Sequence, residues 1–246
     1  MNDYIMKPYP LEDLPQVIFD LPRVKEFLLP DVSEVPKKTP KVLIQKVPSP
    51  KKKDTEINQT DIEELLTKFA VDTENPERNF DLGLWYEKEG HTAPSLTYFL
   101  RCAERAEDDN LAYEALIKSH HSYDRQGTRD GTAISLLQQA LCLMPKRPEA
   151  YFLLARFHER RQQWNDSYKY ASLALDVCDF DVQPLTSEVE YPGRYGLLFE
   201  KAVSGYWWGK GDQSRAIFRD LLDNYEMTED YRRAVNDNLN RIKKQN

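Results

Sequence analysis

The segment Pro148–Val177 constrains the fold most, because its pattern is that of two short amphipathic helices joined by a tight polar turn. Apolar and small residues recur at helical spacing in both halves: Tyr151, Leu154, Ala155 and His158, then Trp164, Ser167, Ala171, Ala174 and Leu175. Such a helix pair cannot bury its apolar face alone. The sequence therefore predicts internal repeats, with neighbouring pairs built in the same way.

Further segments of the chain fit the same pattern of helix, turn and helix. The predicted turns at Gly90, Gly127 and Gln162 are 37 and 35 residues apart, close to a repeat of about 34 residues. The second unit fits if one residue is inserted at its turn. Small residues on both helices of a pair allow a close approach, and a Tyr or Trp fills the wedge between them.

The fourth unit fits less well. We place its turn at Gly211 and its buried face at Ala216 and Ile217. With this register, Asp220 and Asp223 occupy apolar positions of the second helix. We therefore expect a degenerate repeat near the end of the array.

This pattern resembles the tetratricopeptide repeat (TPR). The typical residues of that repeat are, in chain order, Leu-Gly/Ala, Tyr, Gly, Ala, Phe/Leu/Ala, Ala and Pro. The second unit departs from it, since Ser119 and His120 replace Leu-Gly. The resemblance implies an all-α, right-handed α-solenoid of TPR-like helix pairs over residues 61–246. The expected units span about 75–106, 110–145, 148–177 and 196–222, followed by a capping helix at about 229–244.

Residues 1–60 differ from the rest of the chain. They hold nine of the fifteen prolines and none of the nine glycines, and several lysines follow one another. Proline excludes long helices and central strands, so the sequence predicts an extended arm. The arm is either disordered or lies along the folded part, or it docks to a partner through Val17–Phe19 and Phe27–Leu28.

Composition narrows the class of protein and its location. The formal net charge of −7 gives no support for nucleic-acid binding. No apolar run approaches the roughly 18 residues of a membrane span, and the N-terminus lacks the pattern of a signal peptide. The chain has an odd number of cysteines, namely Cys102, Cys142 and Cys178, and each lies in or at the end of a predicted helix. We interpret them as small buried hydrophobic residues in a reducing compartment. We therefore predict a cytoplasmic protein.

A second resemblance concerns the order of segments over residues 145–242. The third unit, the loop 178–196 with its Tyr-Pro, the segment 197–222 and a final NDNLNRI are similar to the helical C-terminal region of bacterial and viral family-2 glycosyltransferases. In those enzymes an α/β catalytic domain precedes the repeats. Here only the proline-rich arm does, so the catalytic chemistry of the family does not transfer.

Candidate catalytic and metal-binding residues are few. Asp179-Phe180-Asp181 matches the Asp-x-Asp motif with which glycosyltransferases bind a divalent metal, but no βαβ pattern surrounds it. We interpret it as a polar loop with Phe180 packed down. His158 takes the place of the wedge tyrosine and is predicted to be a core histidine. No metalloprotease, P-loop or nucleophile motif is present, and we predict no metal and no cofactor.

The remaining candidate site is the face of the first helices, which lines the inner groove of TPR arrays. By register, the first two units present Phe80, Leu84 and Lys88, then Ile117, His121 and Arg125. The later units present Phe152, Arg156 and Arg160, then Lys201 and Trp208. The basic members would bind an extended acidic peptide or an anionic glycan. Alternatively this is an ordinary solvated helix face, or the chain's own arm fills the groove.

The sequence thus favours a non-enzymatic helical-repeat module that binds a protein or peptide partner through its concave face. The alternative is an accessory or separated C-terminal part of a glycosyltransferase system, which positions a catalytic subunit or a glycan acceptor. A catalytic function of the chain itself is disfavoured, because the sequence contains no recognisable set of catalytic residues.

Overall fold

A computed structural model describes residues 62–243, in which every regular element is an α-helix. The ten described helices are α1 (Ile62–Val71), α2 (Pro76–Lys88), α3 (Thr92–Arg105), α4 (Asp109–Gln126), α5 (Asp130–Leu143), α6 (Glu149–Arg160), α7 (Trp164–Val177), α8 (Arg194–Trp207), α9 (Gly211–Asn224) and α10 (Glu229–Lys243). The predicted all-α class is confirmed for this range. The arm over residues 1–60 and its anchors lie outside the described residues.

The described chain forms two compact units. Unit 1 contains residues 62–145 and the separate segment 183–189, and unit 2 contains residues 146–182 and 190–243. In unit 1 the helices α1 to α5 pack in succession, each against the next. In unit 2 the same succession runs from α6 to α10, and α8 also contacts α6.

The second helix of every pair buries the same positions. The fourth, eighth and eleventh residues are Ser95, Phe99 and Cys102 in α3, Ala133, Leu137 and Ala140 in α5, Ser167, Ala171 and Ala174 in α7, and Ser214, Phe218 and Leu221 in α9; all are at most 1 % exposed. This spacing of three and four residues keeps one stripe facing the first helix of the pair.

The fourth pair has a different register from the predicted one. Its turn lies at Gly209, whereas Gly211 is the first residue of α9. Consequently Ala216 is exposed and Ile217 is only partly buried. The predicted register was wrong because two glycines stand two residues apart and either could form the turn. With the observed register Leu221 fills the apolar position, so this pair follows the pattern of the others.

The turns inside the pairs share one backbone conformation. Gly90, Gly127, Gln162 and Gly209 have φ angles of 79°, 68°, 60° and 83°. This left-handed region ends a helix and lets the chain reverse. Gln162 adopts it without being glycine, at a cost of roughly 1–2 kcal/mol. The first three turns coincide with those that the spacing predicts.

The first pair shows why small residues recur on the first helix. An ideal Cβ at Gly83 would lie 2.5 Å from Cδ1 of Phe99, which is fully buried. The Phe99 ring also packs on Phe80, with ring centroids 5.6 Å apart. A side chain at position 83 would therefore force α2 and α3 apart.

The C-terminal part of unit 2 has an aromatic core. Phe199 of α8 packs edge-on against Phe218 of α9 and Tyr231 of α10, with centroid distances of 6.0 and 5.2 Å. Val235 and Leu239 of α10 complete this cluster. The last helix therefore covers the apolar end of the unit with one face.

The three cysteines differ in exposure. Cys102 is fully buried, and burial raises its pKa to about 12. Cys178 is partly buried, and burial raises its pKa strongly. Cys142 is exposed because it lies on the solvent face of α5, so the prediction of three buried thiols was wrong at this residue.

Candidate functional site

In unit 1, the face of α4 predicted to line a groove carries a continuous stripe of residues. The members are Glu114, Ile117, Lys118, His121 and Arg125, which repeat at helical spacing on one side of the helix. The first three are buried, with Glu114 only 2 % and Lys118 only 7 % exposed. His121 is partly exposed and Arg125 is exposed. The buried part of the stripe contains two charged groups, so their partners decide what this face does.

Segment 183–189 covers that stripe. The carboxylate of Glu114 accepts the backbone N–H groups of Thr186, at 3.0 Å, and of Ser187. The Lys118 ammonium donates to the backbone oxygen of Glu188 at 2.9 Å. These hydrogen bonds involve both N–H and C=O groups of the segment's main chain. The segment is thus held on the helix face by its backbone, which bends at Thr186 and Ser187.

Glu87 of α2 supports this arrangement. Its Oε2 lies 3.2 Å from the Lys118 ammonium, and its Oε1 lies 2.9 Å from the Arg125 guanidinium. The Lys118 side chain is 9 % exposed and that of Arg125 is 51 % exposed. The inner ion pair is therefore shielded from water and salt, whereas the outer one is screened.

Unit 2 covers part of its own first-helix face in the same manner. The ring of Tyr191 packs on Phe152 with a centroid distance of 5.6 Å, and Phe152 is fully buried. Glu190 lies 3.4 Å from the Arg156 guanidinium. Burial raises the pKa of the Tyr191 hydroxyl above its usual range, and Glu149 adds to this effect. Phe152 and Arg156 are therefore in contact with the chain's own residues 190 and 191.

A different arrangement lies where α7 and α8 of unit 2 meet. The ammonium groups of Lys201 and Lys210 stand 5.5 and 5.1 Å from the ring centroid of Tyr168. Lys210 also lies 4.5 Å from the ring of Trp208, and the rings of Tyr168 and Trp208 are 5.0 Å apart. We name these four residues the lysine–aromatic site.

The lysine–aromatic site carries two positive charges that are only partly compensated by a nearby carboxylate. Burial lowers the pKa of Lys201; Asp176 opposes this effect, and Lys210 adds to it. Within residues 62–243, neither Lys201 nor Lys210 forms an ion pair with a carboxylate. The Tyr168 hydroxyl donates to Oε1 of Gln213 at 2.8 Å, which anchors the ring beside the two lysines.

The residues predicted from the sequence are thus divided between the units. His121 and Arg125 lie on the α4 stripe of unit 1. In unit 2, Phe152 and Arg156 meet residues 190 and 191, Lys201 and Trp208 join the lysine–aromatic site, and Arg160 is exposed at the end of α6.

Four residues of these sites were missed from the sequence: Glu114, Lys118, Tyr168 and Lys210. Glu114 stands three residues before Ile117 and Lys118 stands three residues before His121, so their helical spacing could have revealed them. Lys210 was hidden by the incorrect register at Gly209 and Gly211.

His158 is a core residue, as predicted. It is 5 % exposed, stacks on Tyr170 with a centroid distance of 5.4 Å, and has Nδ1 2.6 Å from Oε1 of Gln163. Burial lowers its pKa, with Gln163 and Asp166 opposing this effect and Arg161 adding to it. The neutral imidazole therefore fits the wedge position.

The Asp-x-Asp segment forms a local turn. Asp179 accepts the backbone N–H of Asp181 at 3.0 Å, and the Arg194 guanidinium lies 5.2 Å from the Phe180 ring. Among the described residues, no three His, Cys, Asp or Glu side chains are arranged to hold a metal ion. None of the ten described helices is long and apolar enough to cross a membrane.

Comparison with known proteins bears on the fold. No family model matches the chain, and no curated protein sequence matches it significantly. Among solved structures, PilW, a type IV pilus biogenesis factor, has 18 % identity and a TM-score of 0.56, and the match covers 73 % of this chain and 76 % of PilW. MamA has 15 % identity and a TM-score of 0.52, with coverage of 66 % and 85 %. PilF of Pseudomonas aeruginosa has 13 % identity and a TM-score of 0.51, with coverage of 70 % and 71 %.

These three structures contain tetratricopeptide repeats. At such low identity the similarity concerns the fold alone. It agrees with the paired helices, the left-handed turns and the shared buried positions of the second helices. The chain therefore has an all-α fold of TPR-like helix pairs.

Proposed function

We propose that the chain is a non-enzymatic interaction module and that unit 2 binds an acidic segment of a partner protein at the lysine–aromatic site. One observation carries this proposal. Two ammonium groups stand beside the same Tyr168 ring, and within residues 62–243 neither forms an ion pair with a carboxylate, although Asp176 acts on Lys201 from a greater distance. The partner we propose supplies the carboxylate for such an ion pair.

The physical reason is that the unliganded site is electrostatically unfavourable. Two like charges repel, and the half-buried Lys201 has lost part of its hydration. The rings of Tyr168 and Trp208 attract the ammonium groups but cannot neutralise them. A carboxylate would form charge-assisted hydrogen bonds with both lysines, and an apolar side chain beside it would pack on Trp208. Binding would therefore gain more here than at an isolated surface lysine.

The other predicted groove residues take secondary roles in this proposal. Arg160, exposed at the end of α6, would add to the positive charge of unit 2. Phe152 and Arg156 are covered by Tyr191 and Glu190, so they would serve a partner only after these two residues move. His121 and Arg125 belong to unit 1 and have no role in this proposal. A cytoplasmic location remains our prediction from the three free cysteines.

The test is a titration of the full chain with a fluorescein-labelled decapeptide rich in glutamate and leucine, at low and at physiological ionic strength. We expect the double variant Lys201→Gln/Lys210→Gln to weaken binding at least tenfold. Lys146→Gln/Lys169→Gln is the matched control, since it removes the same charge from the same unit. Equal losses in the two double variants would reduce the effect to net charge and contradict the proposal.

An accessory role in a glycosyltransferase system is the second proposal. It rests on the order of segments over residues 145–242. It is also supported by the stacked rings of Trp164 and Trp207, 5.5 Å apart and both partly exposed, because the outer aromatic surface of such a pair is amphipathic and suits an interface. In this case an oligosaccharide of uronic acids would bind, Trp164→Ala would abolish the binding, and the acidic peptide would not compete.

A further inference from the structure

We propose that α4 carries a separate peptide-binding site, centred on Glu114 and Lys118, in which the chain's own segment 183–189 is the resident ligand. A partner segment of similar chemistry binds there by replacing it. This inference concerns unit 1 and does not depend on the lysine–aromatic site of unit 2.

The contacts define what the site recognises. Glu114 accepts two consecutive backbone N–H groups, those of Thr186 and Ser187, and Lys118 donates to the backbone oxygen of Glu188. Backbone groups of this kind exist in any peptide whatever its side chains, but two consecutive N–H groups converge on one carboxylate only where the chain bends, as it does at Thr186 and Ser187. The site therefore recognises main chain first, and it excludes a ligand with proline at either N–H position.

The side chains of the segment define the remaining specificity. Val189 is buried at 7 % exposure and is the apolar anchor. Leu185 and Ser187 are partly buried, while Gln183, Pro184, Thr186 and Glu188 are exposed. A ligand consequently needs a backbone that bends at the two bonded N–H groups and an aliphatic residue two positions after the second of them. Polar residues suffice at the exposed positions.

The buried charged groups on the α4 face need hydrogen-bond partners from a segment that covers them. Glu114 and Lys118 are almost fully buried, and Lys118 is also held by Glu87 at 3.2 Å. A buried carboxylate that loses its donors is costly. When the resident segment leaves, Glu114 loses both donors, and either water or another peptide with two suitably placed N–H groups replaces them. An exchange of one peptide for another conserves these bonds.

The end of the segment favours such an exchange. Glu190, the next residue, has a φ of 59°, which is strained for a residue other than glycine, and Gly193 has a φ of 111°. Departure of the segment allows Glu190 to relax to an ordinary backbone conformation. Four of the seven residues in the segment are exposed, so the side chains that oppose its departure are the partly buried Leu185 and Ser187 and the buried Val189.

The experiment uses a synthetic peptide of residues 182–190 and two forms of the full chain. In one form residues 183–189 are replaced by a seven-residue Gly-Ser linker, and the other is the unaltered chain. We expect the labelled peptide to bind the linker form at least tenfold more tightly. A peptide with proline in place of Thr186 and Ser187 should lose this binding, and so should a linker form that carries Glu114→Gln.

A second measurement keeps the test valid if the linker form folds poorly. Ser187→Pro in the full chain removes one bonded N–H and should raise affinity for the added peptide, with faster hydrogen exchange at residue 186. Lys201→Gln/Lys210→Gln should leave all these values unchanged, which separates this site from the one in unit 2. Equal binding to both forms of the chain, or binding unaffected by the proline peptide, would overturn the proposal.

Discussion

The α4 face of unit 1 and the lysine–aromatic site of unit 2 treat buried charge in opposite ways. In unit 1, Glu114 and Lys118 meet backbone groups of segment 183–189 and a carboxylate of α2. In unit 2, Lys201 and Lys210 stand beside aromatic rings and form no ion pair within the described residues, and only Lys201 has a carboxylate, that of Asp176, close enough to affect its pKa. Both faces stand on helix pairs with the same buried register. The difference shows that residues outside the repeat positions decide whether a face is closed or open.

The largest effects should test whether the two scaffolds are equivalent. Phe99→Ala in α3 and Phe218→Ala in α9 each remove a fully buried ring at the eighth position of a second helix. We expect each to lower the free energy of unfolding by about 3–5 kcal/mol, measured by urea denaturation. Ala216→Ser, on the exposed side of α9, is the control and should cost less than about 0.5 kcal/mol. A large decrease in the free energy of unfolding for Ala216→Ser would instead support the register predicted from Gly211.

The next prediction concerns the closed face. Glu114→Gln removes the charge and one acceptor atom from the pair of hydrogen bonds to segment 183–189. We expect a loss of roughly 1–3 kcal/mol in unfolding free energy, together with faster hydrogen exchange at the amides of Thr186 and Ser187. Glu188→Gln is the matched control, since that side chain is exposed. Unchanged exchange at both amides would mean that Glu114 does not hold the segment.

A smaller effect should appear in the pH dependence of stability. Burial holds the pKa of His158 below its ordinary value of 6.5, so the unfolded chain binds this proton more readily than the folded one. The stabilisation is complete above about pH 6.5 and is lost as pH falls from there through the folded pKa. His158→Tyr places a wedge tyrosine at this position and removes that loss. The difference in unfolding free energy between variant and wild type should therefore shift in favour of the variant from pH 7.5 to pH 5.

The smallest effect is expected for the screened partner of Glu87. Arg125→Ala breaks an ion pair whose arginine side chain is 51 % exposed, and should cost about 0.2–1 kcal/mol. The cost should vanish in 1 M salt. Lys118→Met removes the shielded pair and should cost more, with little dependence on salt. Similar salt dependence of the two variants would show that both pairs are equally hydrated.

The helix pairs were predictable because their information is local. Apolar spacing and the turns at Gly90, Gly127 and Gln162 are visible within a window of about 35 residues. The closed face was not predictable, because Glu114 and Thr186 are 72 residues apart and the bond reaches a backbone N–H. No side-chain pattern marks such a partner. Lys210 was missed for a local reason, since the choice between Gly209 and Gly211 moved it off the site.

The unequal exposure of the three cysteines makes the chain selective toward thiol reagents. Cys102 is fully buried, Cys178 is partly buried, and burial raises the pKa of both, so neither supplies much thiolate near neutral pH. Cys142 is exposed on α5, although burial raises its pKa as well. A maleimide dye should react slowly and first at Cys142, which gives unit 1 a native attachment point for a fluorescent label.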